Sequence, residues 1–285
     1  MHQYGWILLA ALLSLGGCDR NTGESPATLR VSAVPDRAPA EVRAKHKALL
    51  DHVCKTAGVT CQWVDSSSYE DTGNRPGRGE IDLAYLGGAT FVLAHQRHAA
   101  VPLAMRDIDM RFTSSIYVRA NNPARTLQDL RSHSFAFGPQ QSTSGYIMPR
   151  YFFRQAGIEP EEFFSLVVYS KGHDDTLERI ERGDVMAGVV NSNMARRTLK
   201  TRKYNLRLLW ESTPYADYVW VARAGLSDDL KQRLRDAFLG LRLSNPSERA
   251  ILDQQGAHGY LPARVDDFTE LAASMQRSSR QGERE

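Results

Sequence analysis

Three hydroxyl side chains stand in a row at Ser142, Thr143 and Ser144, followed at once by Gly145 and an aromatic run. Such a run opens a helix well. The first backbone N–H groups of a helix have no partner within it, and hydroxyls set among them add donors. The macrodipole points its positive end the same way. The chemistry on offer is capture of a phosphate-like anion with no Lys or Arg in contact. The same residues also make an ordinary N-cap, which satisfies backbone donors and binds nothing. A catalytic alternative takes Ser144, His173 and Asp217 as nucleophile, base and orienter. Ser144 lies outside any G-x-S-x-G elbow, and no cluster has metal-ligand spacing. The expectation is therefore a binding protein and not an enzyme, with no cofactor and no metal.

The chain that must position this turn has 285 residues, 42% hydrophobic and 24% charged, an ordinary globular composition. That length allows two lobes of about 100–150 residues, each with a core of its own. A net charge of +3 without a dense Lys/Arg run argues against nucleic acid and against a polybasic membrane patch.

The apolar run from Ile7 to Leu15 is too short to span a bilayer as a mature helix. It leads into Leu15-Gly16-Gly17-Cys18, which resembles a bacterial lipoprotein signal: 1–17 removed, Cys18 lipidated, and 18–27 a flexible tether. Asp19 stands where inner-membrane retention is signalled. The leading MHQYGW carries no Lys or Arg, a departure from the usual basic start. Cys54 and Cys61 remain, and in an exported chain an even remainder suggests a disulfide. A thiol site for a soft metal or arsenite would lack a third ligand.

The rest alternates strands with helices. Leu29–Val34, Thr60–Val64, Ile81–Leu86, Thr113–Ala120, Ser134–Phe137, Phe163–Ser170, Met186–Asn191, Leu206–Glu211 and Tyr218–Ala222 read as strands, with Val101–Leu103 a short one. Helices follow at Pro39 to Gly58, Ala89–Gln96, beyond Pro149, from a cap at Asp174, and at Asp228–Leu241 and Pro246–Gln255. His46 falls on the apolar face of the first helix and reads as a packed histidine. EDTGNRPGRGE, after Tyr69, is rich in glycine and should be a loop. The polar end, 276–285, should be disordered. This alternation indicates an α/β fold with mostly parallel sheets.

In this order the segments resemble the phosphonate-binding family of solute-binding proteins, the periplasmic component of phosphate, phosphite and phosphonate uptake transporters. The resemblance spans about 29–265 and is carried by Tyr69 in SSSYED, GEIDLAYLGGATFVLA, QQSTSGY with Pro149, GHDDTLERIERGDV and STPYADYVWV. It implies a two-lobed periplasmic-binding-protein fold, type II-like, with helices on both sheet faces and the ligand between lobes. Lobe 1 would combine 28–113 with 216–270, and lobe 2 would be 114–213, with crossovers near Thr113–Tyr117 and Glu211–Asp217. By position, Ser142, Thr143 and Ser144 would hold the anion, Tyr69 and Tyr85 would close on it, and His173 would donate to it. Asn193 and Asp217 would read the substituent on phosphorus. Considered singly, Tyr85 also suits a core, His173 and Asp217 a surface, and Asn193 a helix cap.

Two departures carry meaning. Asn193 is neutral where amine-bearing ligands can meet a carboxylate, which disfavours an aminoalkyl group. Asp217 can instead accept a P–OH proton, which phosphite and hydrogen phosphate carry and sulfate lacks. The second departure is the glycine-rich stretch after Tyr69, where the family has a helix. The resemblance thus implies a periplasmic lipoprotein at the inner membrane, acting as a monomer, that delivers a phosphorus oxyanion to an ABC permease. The alternative is a sensor of the same fold that signals to a membrane histidine kinase.

Overall fold

The computed structural model describes residues 27–282, with side chains to residue 276; the signal segment, Cys18 and Asp19 lie outside the described residues. The elements run β1 (Thr28–Ala33), α1 (Pro39–Thr56), β2 (Thr60–Trp63), α2 (Tyr69–Asn74), β3 (Leu83–Leu86), α3 (Gly88–His98), β4 (Val101–Arg106) and β5 (Ser114–Arg119). They continue with β6 (Ser134–Phe137), α4 (Met148–Gln155), α5 (Pro160–Phe163), β7 (Leu166–Tyr169), α6 (His173–Arg182), β8 (Ala187–Asn191), α7 (Ser192–Thr201) and β9 (Leu206–Glu211). The chain closes with β10 (Val219–Ala222), α8 (Asp228–Leu239), α9 (Pro246–Gln255), β11 (Tyr260–Pro262) and α10 (Thr269–Gly282).

These strands form two sheets. One has the order β11-β4-β10-β3-β1-β2, the other β7-β6-β8-β5-β9. Strands from 28–106 and 219–262 build the first, and strands from 114–211 the second. Pairing is parallel for β1 with β2 and β3, and for β6 with β7 and β8. It is antiparallel wherever β5, β10 or β11 takes part. The expectation of mostly parallel sheets is thus corrected to mixed ones. Strands β5 and β10 enter each sheet straight from the crossing segments and run against their neighbours, a feature that hydrophobic pattern does not encode.

Side-chain alternation builds the second lobe. Ile116, Val118, Phe135, Phe137 and Val189 face one side, packed with Phe153, Phe163 and Phe164. Tyr117, Ala136 and Val190 face the other, against Leu177, Ile180 and Ala195. Period-two placement on a pleated strand requires this division. The first sheet is buried around Val31, Leu83, Trp220 and Phe238.

Two segments cross between the sheets and bind each other. Phe112 and Tyr215 exchange backbone hydrogen bonds of 2.8 and 2.9 Å, and the Asp217 N–H donates to the Asp109 carbonyl at 3.0 Å. The hinge is therefore a two-stranded ribbon and not a pair of loose linkers.

Two sequence expectations fail here. The glycine-rich stretch after Tyr69 begins as a helix, α2. The Ser68 Oγ accepts from the Asp71 N–H at 3.0 Å, and Glu70 and Asp71 lie in the first turn, where the dipole favours acids. Gly73 is a packing requirement and not a breaker: a Cβ there would stand 2.8 Å from Thr90 Cγ2. The end of the chain, expected to be disordered from 276, is helical through Gly282. Leu271, Ala272 and Met275 supply an apolar stripe that packs on the first-lobe core, and burial of that stripe extends the helix.

Cys54 and Cys61 form a disulfide, with Cα atoms 6.0 Å apart across a separation of 7 residues. It fastens the end of α1 to β2 at the sheet edge. Closing so short a loop is worth about 2.5 kcal/mol on the chain-entropy account. Denaturant unfolding with and without a thiol reductant should therefore differ in stability by about 2–3 kcal/mol. Coincident curves would show that the bridge constrains nothing in the unfolded chain.

Candidate functional site

The turn before α4 sits between the two sheets. Its first turn, Thr143–Ile147, is wider than an α-helix, and Pro149 falls in the first turn of the helix that follows, where a missing N–H costs nothing. Ser142, Thr143 and Ser144 are all buried, at 1–2% exposure. Gly145 has no substitute here, since a Cβ would stand 3.0 Å from Ser142 Oγ and 3.1 Å from His173 Cε1.

Hydrogen bonding fixes what each hydroxyl has left to give. Ser142 Oγ accepts from the Gly145 N–H at 3.1 Å. Thr143 Oγ1 accepts from the Ala89 N–H at 2.9 Å, a bond that reaches from the second lobe to the start of α3 in the first. Both hydroxyls keep their own proton. Ser144 Oγ is buried with no partner. The N–H groups of Thr143 and Ser144 come too early in the turn for an intrahelical acceptor. The hinge is tied to this turn: Ser114 Oγ donates to the Ser144 carbonyl at 2.8 Å, so the Tyr215 hydroxyl, 2.6 Å away, donates to Ser114.

Around the turn stand three further side chains with unsatisfied buried atoms: the Tyr69 hydroxyl, His173 Nε2 and Asp217 Oδ2. Tyr69 opens α2 and lies beside Ser142, Tyr218 and Asp217. His173 opens α6; Gly172 occupies the cap position, and Asp174 falls in the first turn and is not the cap. The Asn191 N–H donates to His173 Nδ1 at 3.3 Å. Burial drives the imidazole pKa down to about 4, and the charge of Asp36 only partly offsets it. At neutral pH His173 is therefore uncharged, with its proton on Nε2. In this tautomer Nδ1 carries no proton, whereas a catalytic triad would need Nδ1–H directed at a carboxylate.

Asp217 is 1% exposed. Its Oδ1 accepts from the Gly88 N–H at 2.9 Å. Burial pushes its pKa up to about 7, against the pull of that hydrogen bond and of Thr143.

The remaining two expected residues sit further off. Tyr85, on β3, is 2% exposed and stacks on Tyr218 at 5.1 Å, with Trp220 on β10 at 5.0 Å. Its hydroxyl is unpartnered, and its charged surroundings are Arg106, Asp109 and Asp36. Asn193 lines a small cavity next to the turn, with Asp36, Arg37 and Arg197. The cap of α7 is Asn191, whose Oδ1 accepts from the Met194 N–H at 2.9 Å, and not Asn193. Between α2 and residues 139–141 the cleft opens into a larger cavity of roughly 420 Å³, with Tyr69 and Lys171 in its wall. His46 is packed among Tyr85, Trp220 and Trp63, as its place on the apolar face indicated.

Asp36, Lys45, Arg106, Arg197 and Tyr218 were not legible as site residues. One signal was available: Lys45 lies on the apolar face of α1, between Val42 and Leu49, where a solvated lysine does not belong.

A raised carboxyl pKa in the folded chain means that folding favours the proton. Above pH 7 Asp217 is ionised in both states and the full burial penalty applies; below about pH 4 it is protonated in both and the penalty vanishes. The unliganded Asp217→Asn variant should therefore gain in melting temperature relative to the parent at pH 8, and lose that advantage at pH 4–5. A difference independent of pH would show that Asp217 is not the buried proton acceptor described.

The model of the family described as the periplasmic substrate-binding protein of phosphonate ABC transporters matches residues 31–268. A probable ABC transporter phosphite-binding protein of Prochlorococcus marinus is 29% identical over 264 residues, 87% of this chain and 88% of that protein. A phosphate-import protein of Mycolicibacterium smegmatis is 24% identical over 229 residues, 75% of this chain and 71% of that one. The crystal structure of a Prochlorococcus marinus protein, PhnD1, in complex with methylphosphonate superposes with a TM-score of 0.84 at 26% identity, covering 90% of this chain and 99% of that chain. Its two lobes, its crossing ribbon and this match along most of its length place the chain in one group: it belongs to the phosphonate-binding family of periplasmic substrate-binding proteins of ABC transporters.

Proposed function

We propose that the protein captures a phosphorus oxyanion (phosphonate, phosphite or phosphate) at the Ser142–Ser144 turn and delivers it to an ABC permease. Ser142, Thr143 and Ser144 give hydroxyl protons and turn N–H groups, Tyr69 and His173 add donors from either side, and Asp217 takes the one proton that the ligand supplies. Tyr85 backs the wall through Tyr218, and Asn193 faces the substituent. Before the turn, Cys18 carries the lipid that holds a monomeric chain at the periplasmic face of the inner membrane, with 18–27 as tether.

One observation carries this reading. Ser144 Oγ, Tyr69 Oη, His173 Nε2 and Asp217 Oδ2 are buried together with no protein partner. Leaving such groups dry costs about 1–3 kcal/mol each, so a built cluster of them belongs to a ligand. His173 Nε2 donates, the two hydroxyls can donate, and the ionised Asp217 Oδ2 only accepts, which matches a tetrahedral acid that has kept one proton. The partner is a permease and not a sensor kinase, because the family is one of transporter components.

Calorimetry at pH 8 with phosphate, phosphite, methylphosphonate, aminoethylphosphonate, sulfate and arsenite tests the reading. Phosphorus oxyanions should bind. Sulfate should not, since it cannot take up the proton that an ionised Asp217 requires, whereas the phosphorus oxyanions, whose last proton leaves near neutral pH, regain one at small cost on binding. Ser144→Ala and His173→Ala should each weaken binding by roughly 1–3 kcal/mol, the cost of one hydrogen bond to a charged group. Unchanged affinity in both variants would remove the site.

A further inference from the structure

Next to the turn lies a narrow cavity whose wall carries Arg37, Lys45, Arg106 and Arg197, with Asp36 and Asn193. It adjoins the oxyanion site through shared walls. The Tyr218 hydroxyl, beside Tyr69, donates to Asp36 Oδ2 at 3.2 Å, and Asp36 is also the nearest charge to His173. The wall comes from both lobes: Arg37 and Lys45 lie before and on α1, and Asn193 and Arg197 on α7.

The charges in this wall do not balance. Arg106 is matched by Asp109, through bonds of 2.8 and 2.6 Å, and also donates to the Gln255 carbonyl at 2.8 Å. That leaves Arg37, Lys45 and Arg197 facing Asp36. Among the described residues, none of these three cations has a carboxylate within ion-pair distance. Arg197 donates only to the Gln255 carbonyl, at 3.3 Å. Arg37 Nε is buried and unpartnered. The Lys45 ammonium lies 5.6 Å from the Tyr85 ring centre, a contact that does not neutralise it. Burial, reinforced by the neighbouring guanidiniums, brings the Lys45 pKa down to about 7 even with Asp36 opposing. An excess of withdrawn positive charge is costly in itself and stabilises whatever anion enters.

We propose that this chamber is a subsite for a second anionic group on the ligand, and that the preferred ligand is a phosphonate bearing a carboxylate on a short carbon linker. The proposal rests on the turn holding the phosphorus end. A planar carboxylate matches the fork of Arg37 or Arg197, and Lys45 supplies a compact third donor. As it stands the chamber, roughly 10 Å³, holds about one water, so a carboxylate enters only as the Arg37 and Arg197 side chains in its wall give way, and a long chain does not enter. An ammonium at the same place would meet the Arg37 and Arg197 guanidiniums, with Lys45 a third like charge only where it is protonated, which agrees with the neutral Asn193 in the wall. Because the two lobes each contribute cations, the second anion favours the closed arrangement as well as occupying it.

The test is calorimetry at low ionic strength with ethylphosphonate, phosphonoacetate, 3-phosphonopropionate and 2-aminoethylphosphonate. At least one carboxylate ligand should bind about tenfold or more tighter than ethylphosphonate, and the amine weaker than ethylphosphonate. Arg37→Gln and Arg197→Gln should each erase most of the carboxylate advantage and leave ethylphosphonate within about threefold of the parent. If ethylphosphonate binds and neither carboxylate ligand binds tighter, the chamber is no anion subsite and the oxyanion site stands. If the advantage survives in both variants, the proposal also fails. If neither ethylphosphonate nor phosphate binds, the oxyanion site itself is wrong, and this proposal goes with it.

Discussion

The Thr143–Ala89 hydrogen bond is the interaction on which the site depends. It joins the second lobe to the first residues of α3. The acceptor is the lone pair of a hydroxyl, so the hydroxyl keeps its proton, which the neighbouring Asp217 or a ligand can take. A carboxylate at the same place would bind the N–H more strongly and would expel an anion; an alanine would leave the N–H dry and remove one of the bonds between the lobes, leaving those of Thr90 to Gln141 and Arg197 to Gln255. Only a hydroxyl closes the cleft and still donates into it. Ser142 follows the same logic within its own turn, where its lone pair goes to the Gly145 N–H.

The fold serves this arrangement through short covalent and hydrogen-bonded paths. The Phe112–Tyr215 ribbon fixes how the sheets meet. Ser114, the first residue of β5, carries the hinge's position to the Ser144 carbonyl through a single bond. Asp217 lies two residues after Tyr215 on the same crossing segment, so hinge geometry also sets the distance between donor turn and acceptor carboxylate. Full cations stay outside the cradle. Arg106 is locked against Asp109, and its guanidinium stands 5.8 and 5.9 Å from the ring centres of Tyr85 and Tyr218. A cradle of neutral dipoles holds an anion by geometry, which loosens when the lobes part. A contacting arginine would hold its charge in the open form as well.

The turn before α4 was legible as a helix start because its chemistry is local: three hydroxyls, a glycine and a proline at fixed offsets. The same holds for the cysteine pair and for the alternating strands Ser134–Phe137 and Ala187–Asn191. Helix α2 was misread because glycine lowers helix propensity, and nothing in the sequence shows that Thr90 will press against Gly73. Helix α10 was misread because its polar composition hid a three-residue stripe whose partner lies far away in sequence. The direction of β5 and β10 follows from the crossovers, which no window of residues contains. The cation chamber was hidden for the same reason: apart from the spacing of Lys45 between Val42 and Leu49, its cations Arg37 and Arg197 read as surface residues until α1 and α7 face each other.

What the site selects is finally a count of protons. The neutral His173 can only donate to a ligand through Nε2, and Ser142 and Thr143 each keep a proton to give; the unpartnered Ser144 and Tyr69 hydroxyls can donate or accept. Asp217 Oδ2 is the one group there that, when ionised, can only accept, and its pKa near 7 makes the cost of placing the proton on either partner small. A tetrahedral dianion with one bound proton satisfies every group. A fully deprotonated one satisfies all but the carboxylate, which must then take a proton from water at a cost that grows with pH. On the proposed reading, discrimination between acids of nearly equal size therefore rests mainly on this carboxylate oxygen on the hinge side of the cleft.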